Sequence, residues 1–294
     1  MTLRDVLLAA IVASIWGFSF VATKVGLQSF TPAQLVVLRF VLASLPALVL
    51  PRPALSWPKL IIIGLALFTG QFLLLFLAFD FGLPPGVASV TQQSQAFFTL
   101  ALAALFLGER PGLRQWCGMG LAAAGLMLLG ASIDADLTAL GLTLALAAAL
   151  SWSVGNILLK RAGNGRMVEL VIWLSLVPPL PALLFSRLFD NSADLTGAIL
   201  AASWQSLAAV LYLGFIGTVV AYSIWGHLLS RHPASEVVPF ALLVPCTGIV
   251  SSYLVFGEVF GPLRAAGLIL IVVGFALVVV QRRRPPQRAE LPGG

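Results

Sequence analysis

The chain has 294 residues, of which 60% are hydrophobic and only 10% carry a charge. A soluble domain has about 25% charged residues, so these proportions exclude a water-exposed fold of this length. Only two cysteines are present, Cys117 and Cys246, which excludes a disulfide-stabilised scaffold. The net charge of +6 is spread over loops and a tail, so it does not indicate a nucleic-acid partner.

Ten apolar runs are long enough for membrane-spanning helices, which need roughly 20 residues each. In chain order they cover residues 5–27, 33–50, 60–80, 86–107, 113–131, 138–160, 168–187, 204–229, 235–256 and 263–280, and we number them spans 1 to 10. The connections between them are too short to hold a soluble domain. The sequence therefore predicts an all-α integral membrane protein with ten transmembrane helices.

Basic residues fall mainly on one side of this arrangement. If the N-terminus is cytoplasmic, the cytoplasmic segments contain Arg4, Arg52, Lys59, Arg110, Arg114, Lys160, Arg161, Arg166, Arg231, Arg282, Arg283, Arg284 and Arg288. The outer loops then contain only Arg187 and Arg264. Because cytoplasmic loops are enriched in Lys and Arg, both termini are predicted to be cytoplasmic, with residues 282–294 as a basic tail.

The two parts of the chain repeat one pattern. Trp16 precedes Lys24 by the same eight residues as Trp152 precedes Lys160. Spans 4 and 9 both end in Gly-Glu, and spans 5 and 10 carry equally spaced glycines, Gly118/Gly125 and Gly267/Gly274. Residues 1–131 and 138–281 are therefore predicted to be two five-helix units, joined outside the membrane by residues 132–137. Because five is odd, the second unit is inverted, which is typical of secondary transporters that work by alternating access.

This combination resembles the EamA-type members of the drug/metabolite transporter superfamily, and among them the bacterial aromatic amino-acid exporters. The resemblance rests on Trp16-Gly17 with Lys24, Trp152 with Asn156 and Lys160, Gly217-Thr218 before Tyr222, Pro245 before Gly257-Glu258, and the glycine pairs of spans 5 and 10. It implies a cavity between spans 1, 3, 4, 6, 8 and 9, and export of amino acids or other small metabolites across the bacterial cytoplasmic (inner) membrane. Ala96 stands where span 9 has Pro245, so span 4 is expected to lack the hinge that a proline produces.

Candidate substrate-binding residues share helix faces within the predicted bundle. They are Trp16, Ser19, Phe20, Gln71, Gln92, Gln95, Thr99, Trp152, Asn156, Thr218, Tyr222, Trp225 and Thr247. Aromatic rings can stack on an apolar or aromatic side chain, and neutral amides can bind polar groups without burying a charge. Two alternatives remain open: the tryptophans can simply pack in the bundle, and the polar side chains of span 4 can bond between helices.

Charged residues near the spans are candidates for a mouth or gate. Lys24 and Lys160 either extend to the lipid headgroups or attract a substrate carboxylate at the two mouths. Arg39 lies inside an apolar run, where a charge is costly unless it is paired or hydrated, so it has either a structural partner or a ligand. Glu109 and Glu258 occupy matching positions, where turn or capping roles compete with coupling.

Other chemistries lack the residues that they need. The sequence has no P-loop, no His/Cys cluster for a metal and no paired carboxylates within the spans, so neither a cofactor nor an enzymatic activity is predicted. We predict a facilitator for neutral, aromatic or apolar amino acids and related metabolites, with proton exchange as the alternative. It is expected to be a monomer or weak oligomer in the lipid bilayer, without nucleic acid. The rival functions are an organic-phosphate or nucleotide-sugar exchanger, which should cluster basic residues at the midplane, and an integral membrane enzyme acting on lipid.

Overall fold

Ten long helices follow one another in the computed structural model, which describes residues 1–134, 136–162, 166–190 and 194–280. They are α1 (Leu3–Gly26), α2 (Pro32–Leu48), α3 (Trp57–Asp80), α4 (Pro85–Leu107), α5 (Leu113–Ala131), α6 (Ala139–Ala162), α7 (Met167–Phe189), α8 (Trp204–Arg231), α9 (Ala234–Phe256) and α10 (Pro262–Val279). A short helix, Leu195–Ala201, lies between α7 and α8. The described ranges contain no strand, so the prediction of an all-α fold is confirmed.

Eight of these helices are long and apolar enough to cross a membrane. The other two are α2, which is apolar but shorter, and α5. Each predicted span overlaps one helix of the same number, but the count of ten crossings remains a prediction. The basic tail at 282–294, including Arg282–Arg284, lies outside the described residues, as does position 135 of the predicted outer connection.

Local sequence signals set several helix ends. Thr2 and Thr31 cap α1 and α2, and in each case the side chain three residues later bonds back to the backbone of the threonine. Such capping boxes satisfy N–H groups that have no partner within the helix. Gly108 and Gly257 close the matching helices α4 and α9 in the left-handed region, at φ of 68° and 66°. A residue without a Cβ adopts this conformation at little cost.

The glycine pairs that the sequence singled out lie where α5 crosses α10. A Cβ on Gly118 would lie 2.7 Å from the carbonyl oxygen of Gly274, and a Cβ on Gly125 would lie 2.6 Å from that of Gly267. Larger side chains would therefore separate the two backbones, which approach closely as at other small-residue helix contacts in membranes. The crossing is reciprocal, because each half supplies the equivalent pair of glycines.

Other contacts between helices are also related by the repeat: a contact made by a helix of one half has an equivalent made by the matching helix of the other half. Helix α1 packs on α8 and α9, whereas its counterpart α6 packs on α3 and α4. Helix α2 packs on α7, its own counterpart. This pattern agrees with a fold built from two repeats.

Irregular turns recur at matching places. A π-helical turn occupies Leu65–Gly70 in α3, and a longer one occupies Tyr212–Val220 in α8. Each begins six residues before a candidate site residue, Gln71 in α3 and Thr218 in α8. Single π-turns inside α-helices are frequent at functional sites, which directs attention to α3 and α8.

Helix α4 has no proline hinge at Ala96, but it has a break one turn earlier that the sequence did not predict. Helix α4 is interrupted at Gln92 and Gln93, although no proline is present there. The amide of Gln93 donates to the carbonyl oxygen of Ser89 at 3.1 Å, and its backbone N–H donates instead to that of Val90 at 2.9 Å. A side chain that binds the carbonyl of the preceding turn competes with the helical ladder. In α9, a 3₁₀ turn at Val238–Leu242 directly precedes the helical stretch that contains Pro245.

Candidate functional site

An aromatic cluster joins α1 of the first half to α8 of the second. The ring centroid of Trp16 lies 5.1 Å from that of Tyr222 and 5.1 Å from that of Trp225. The indole Nε1 of Trp16 donates to the carbonyl oxygen of Gly217 at 3.1 Å, inside the π-turn of α8. Tilted and edge-to-face rings at this spacing attract one another beyond simple burial. Three of the predicted site residues therefore form one group.

Arg39 lies beside this cluster, on α2. It is 4% exposed, and one terminal nitrogen donates to the hydroxyl of Thr218 at 3.3 Å. Its guanidinium carbon lies 4.1 Å from the centroid of the Phe72 ring, within the range of a cation–π contact. The hydroxyl of Thr218 donates in turn to the carbonyl oxygen of Leu213 at 2.9 Å. The Nε of Arg39 is buried and has no hydrogen-bond partner among the described residues.

A second polar group links α3, α4 and α6. The amide nitrogen of Gln71 donates to the amide oxygen of Gln92 at 3.1 Å, and Gln92 donates to the carbonyl oxygen of Ala145 at 3.0 Å. These bonds fit the alternative in which polar side chains of span 4 hold helices together. Several buried atoms nevertheless have no partner within the described part of the chain: the amide oxygen of Gln71 and the hydroxyls of Thr69, Thr91, Ser94 and Thr99.

On α6, Trp152 and Asn156 lie one turn apart, and both are partly exposed. The Trp152 ring centroid is 6.2 Å from that of Phe68. The neighbouring Ser153 donates to the carbonyl oxygen of Gln95 on α4 at 2.8 Å. Gln95 therefore contributes its backbone to the contact between α4 and α6, and its side chain is partly exposed.

The remaining polar candidates on α1 and α9 bond to helix backbone. Ser19 donates to the carbonyl oxygen of Ile15 at 2.8 Å, and Thr247 donates to that of Leu243 at 2.9 Å. A Cβ on Gly17 would collide with the Thr247 hydroxyl, so α1 and α9 touch at this point. Phe20 is partly buried against the main core, and Pro245 is buried with its carbonyl 3.4 Å from the Ser89 hydroxyl.

Lys160 and Lys24 have different partners. Lys160 forms an ion pair with Glu109 and thereby ties the end of α6 to the end of α4. Lys24 donates to the carbonyl oxygen of Phe79 at 3.4 Å. Glu258 accepts a hydrogen bond from the backbone N–H of Gly86 at 2.9 Å and one from the hydroxyl of Ser252, and its Oε1 is buried with no partner in the described structure.

Some contributors to the site are visible only in three dimensions. Tyr212 donates to the carbonyl oxygen of Ile15 at 2.8 Å and packs edge-on to Phe18, which fixes α8 against α1. Phe72 provides the face beneath Arg39. Among apolar membrane helices such aromatic residues carry no distinguishing spacing, so the sequence offered no signal for either one.

A cavity of about 680 Å³ lies away from these groups. It is bordered by Thr31 and Gln34 at the start of α2 and by three carboxylates, Asp80, Asp190 and Asp194. None of the predicted site residues borders it. Within the described residues, no group of three or more His, Cys, Asp or Glu side chains could hold a metal ion.

Comparison with known proteins finds related sequences over nearly the whole chain. The EamA-like transporter family matches residues 3–131 and 139–280. A "Probable amino-acid metabolite efflux pump" of Salmonella typhimurium (strain LT2) is 38% identical over 286 residues, covering 95% of this chain and 96% of its own. A protein of Escherichia coli (strain K12) with the same description has the same identity and coverage.

A protein of known crystal structure shares the fold. It superposes with a TM-score of 0.62 at 19% sequence identity, over 95% of this chain and 98% of its own.

Proposed function

Since the chain belongs to the EamA-like transporter family, we propose that it exports neutral, aromatic or apolar amino acids and related metabolites by alternating access. The family and the efflux-pump relatives make it a transporter and not an enzyme. It is a multi-pass protein of the inner membrane, with eight helices that are long and apolar enough to span the bilayer.

The observation that carries this proposal is the cluster of Trp16, Tyr222 and Trp225. It joins a helix of the first half to a helix of the second, with both ring distances at 5.1 Å. A hydrophobic or aromatic substrate side chain would contact such rings favourably. Movement between the halves would rearrange the cluster, as a transport cycle requires. The relatives described as amino-acid metabolite efflux pumps support the same substrate class.

We place ten helices across the membrane as two inverted units, residues 1–131 and 138–281, with residues 132–137 outside and both termini in the cytoplasm. The reciprocal crossing of Gly118 with Gly274 and of Gly125 with Gly267 supports this arrangement. The excess of Lys and Arg on one side supports the orientation.

An asymmetry between the two halves supports alternating access. Lys160 and Glu109 form an ion pair at the proposed cytoplasmic face. Their counterparts in the other half, Lys24 and Glu258, bind a carbonyl oxygen and a helix N-terminus instead. Within the described residues, the two matching positions are therefore joined by a charge pair at one face and not at the other. Exchange of these two pairings would accompany the change from one open side to the other.

The proposed driving force is the gradient of the substrate itself. Carboxylates buried within a bundle usually mark proton or ion coupling. Glu109 and Glu258 are the acidic residues at the two proposed faces, and each lies just after the end of a helix, α4 or α9. The alternative is exchange of substrate for protons, and the transport assay must distinguish it from a facilitator.

Counterflow in proteoliposomes tests the proposal. Purified protein is reconstituted, and uptake of labelled phenylalanine is measured against internal phenylalanine, leucine, sugar phosphates or nucleotide sugars, with and without an imposed pH gradient. We expect uptake driven by phenylalanine or leucine without that gradient. A second labelled substrate, a sugar phosphate, is measured in the same vesicles. Uptake of the sugar phosphate with no uptake of phenylalanine would identify an organic-phosphate exchanger, and strict dependence on the pH gradient would refute the facilitator.

Trp152→Ala and Trp16→Ala test the aromatic residues in the same assay. Trp204→Ala is the matched control, because this tryptophan is exposed at the start of α8. We expect slower counterflow for the first two variants at equal expression and normal counterflow for the control. Unchanged counterflow in both Trp152→Ala and Trp16→Ala would show that the substrate passes elsewhere.

A further inference from the structure

We propose that Arg39 binds the carboxylate of the transported amino acid, an inference that rests on the proposed function. Arg39 is one of two arginines that are buried in the described part of the chain, and the other is Arg264. Their surroundings differ in one respect that bears on ligand binding, namely the presence of a carboxylate.

Arg264 already has an anionic partner. Its guanidinium donates to Asp134 at 2.7 Å and to the carbonyl oxygen of Ser132 at 3.2 Å. The backbone N–H of Leu137 and the charge of Arg264 hold the pKa of Asp134 below its usual value. The charge of Arg264 is therefore matched within the protein.

Among the described residues, the hydrogen-bonding and ring contacts of Arg39 are all to neutral groups. Thr218 accepts one hydrogen bond at 3.3 Å, and the Phe72 ring lies 4.1 Å from the guanidinium carbon. A ring face attracts a cation but does not neutralise it, and the Nε donor has no partner among the described residues. An ionised side chain within a membrane bundle is expensive and by default marks a substrate or ion pathway. The missing component is an anion.

The other basic candidates leave this role to Arg39. Lys160 is already paired with Glu109, and Lys24 donates to the carbonyl oxygen of Phe79 near the end of α3. Arg39 lies seven residues into α2, or about 10 Å from its start. A guanidinium presents planar, paired donors that match a carboxylate.

The position relative to the aromatic cluster fits an amino acid. Thr218, which contacts Arg39, lies one turn before Tyr222 on α8, or about 6 Å along the helix. Trp16 reaches the same segment through its bond to Gly217 and its contact with Tyr222. Since the carboxylate and the side chain of an amino acid branch from one carbon, Arg39 and the rings can bind the two ends together.

The test compares ligands that differ only in the carboxylate. Counterflow of labelled phenylalanine is inhibited with unlabelled phenylalanine and with phenethylamine, which keeps the ring and the amine. We expect the wild type to prefer phenylalanine, and Arg39→Gln to reduce that preference by about 10- to 100-fold, the effect of losing hydrogen bonds to a charged group. Arg264→Gln is the control and should keep the wild-type ratio, because its guanidinium binds Asp134.

The outcomes separate this inference from the proposed function. If the wild type transports no amino acid, the proposed function fails. If it transports phenylalanine but Arg39→Gln retains the wild-type ratio, only the role of Arg39 fails. Should Arg39→Gln not fold, Arg39→Lys is used with the same ligands. It keeps the charge but loses the planar donors, so its ratio should still fall, and an unchanged ratio would overturn the inference.

Discussion

Neutralising Glu109 should shift the protein toward the state that is open at the proposed cytoplasmic face. In Glu109→Gln, Lys160 loses the carboxylate that ties the end of α6 to the end of α4. The side chains of Lys160 and Glu109 are 60% and 44% exposed, so solvent screening applies. An exposed pair contributes about 0.2–1 kcal/mol, and at this size the equilibrium changes by about 1.4- to 5-fold.

Alkylation of a single cysteine can measure this shift. Asn156 lies one turn before Lys160 on α6, or about 6 Å deeper, and its side chain is partly exposed. Asn156→Cys is placed in a background with Cys117→Ala and Cys246→Ala. Inside-out vesicles are then treated with an impermeant maleimide. Opening of the cytoplasmic side should raise the alkylation rate in Glu109→Gln by the factor given above.

The matched control removes an ion pair whose two residues lie at the start of one helix, so that it does not connect different helices. Arg166 pairs with Glu169 at 2.9 Å, three residues further along the chain and at the same proposed face. Arg166→Gln should leave the alkylation rate unchanged. The reasoning is refuted if Glu109→Gln alkylates no faster than its parent, or if Arg166→Gln accelerates alkylation equally.

Three further outcomes follow from the packing. Trp16→Phe keeps a ring but removes the bond to Gly217, so half-saturation for phenylalanine should rise about 5-fold, for a loss of about 1 kcal/mol; an unchanged value would contradict a role for that bond in positioning the ring. Gly125→Leu places a side chain against the carbonyl of Gly267, so stability measured by thermal unfolding in detergent should fall by about 1–3 kcal/mol, whereas Gly130→Leu, with open space around it, should be tolerated. Gln93→Leu removes the amide that binds the Ser89 carbonyl, so transport should slow while expression holds; normal transport would mean that the break in α4 has no part in the cycle.

More of the fold than of the candidate site could be predicted from the sequence. Apolar runs determine where helices lie in a membrane because every backbone polar group must be satisfied internally, so ten runs gave ten helices at matching places. The glycines of α5 and α10 were informative because only backbone contact requires their spacing. Trp16 on span 1 and Tyr222 and Trp225 on span 8 were all predicted as site residues from their helix faces, but their contact with one another was not predicted.

Other features depended on contacts that no spacing reveals. The break in α4 arises from the amide of Gln93, whose choice of the Ser89 carbonyl depends on its rotamer and surroundings. The pairing of Lys160 with Glu109, and the bond of Lys24 to a carbonyl oxygen instead of a carboxylate, cannot be read from spacing because the two lysines occupy equivalent positions in the sequence. The neutral surroundings of Arg39 became evident only when its neighbours on α3 and α8 were in place.

The π-turn in α8 makes the aromatic cluster depend on the number of residues in the helix as well as on their identity. Such a turn accommodates extra residues relative to a regular α-helix, and each residue of a helix advances about 100° around its axis. Deleting one residue between Tyr212 and Val220 would let the segment become an ordinary helix, and Tyr222 and Trp225 would still face Trp16. Deleting one residue from the regular stretch Trp204–Leu211 would instead rotate that stretch by about 100° relative to the two rings. A helix of the same shortened length would therefore keep or lose the orientation of its rings according to where the residue was removed.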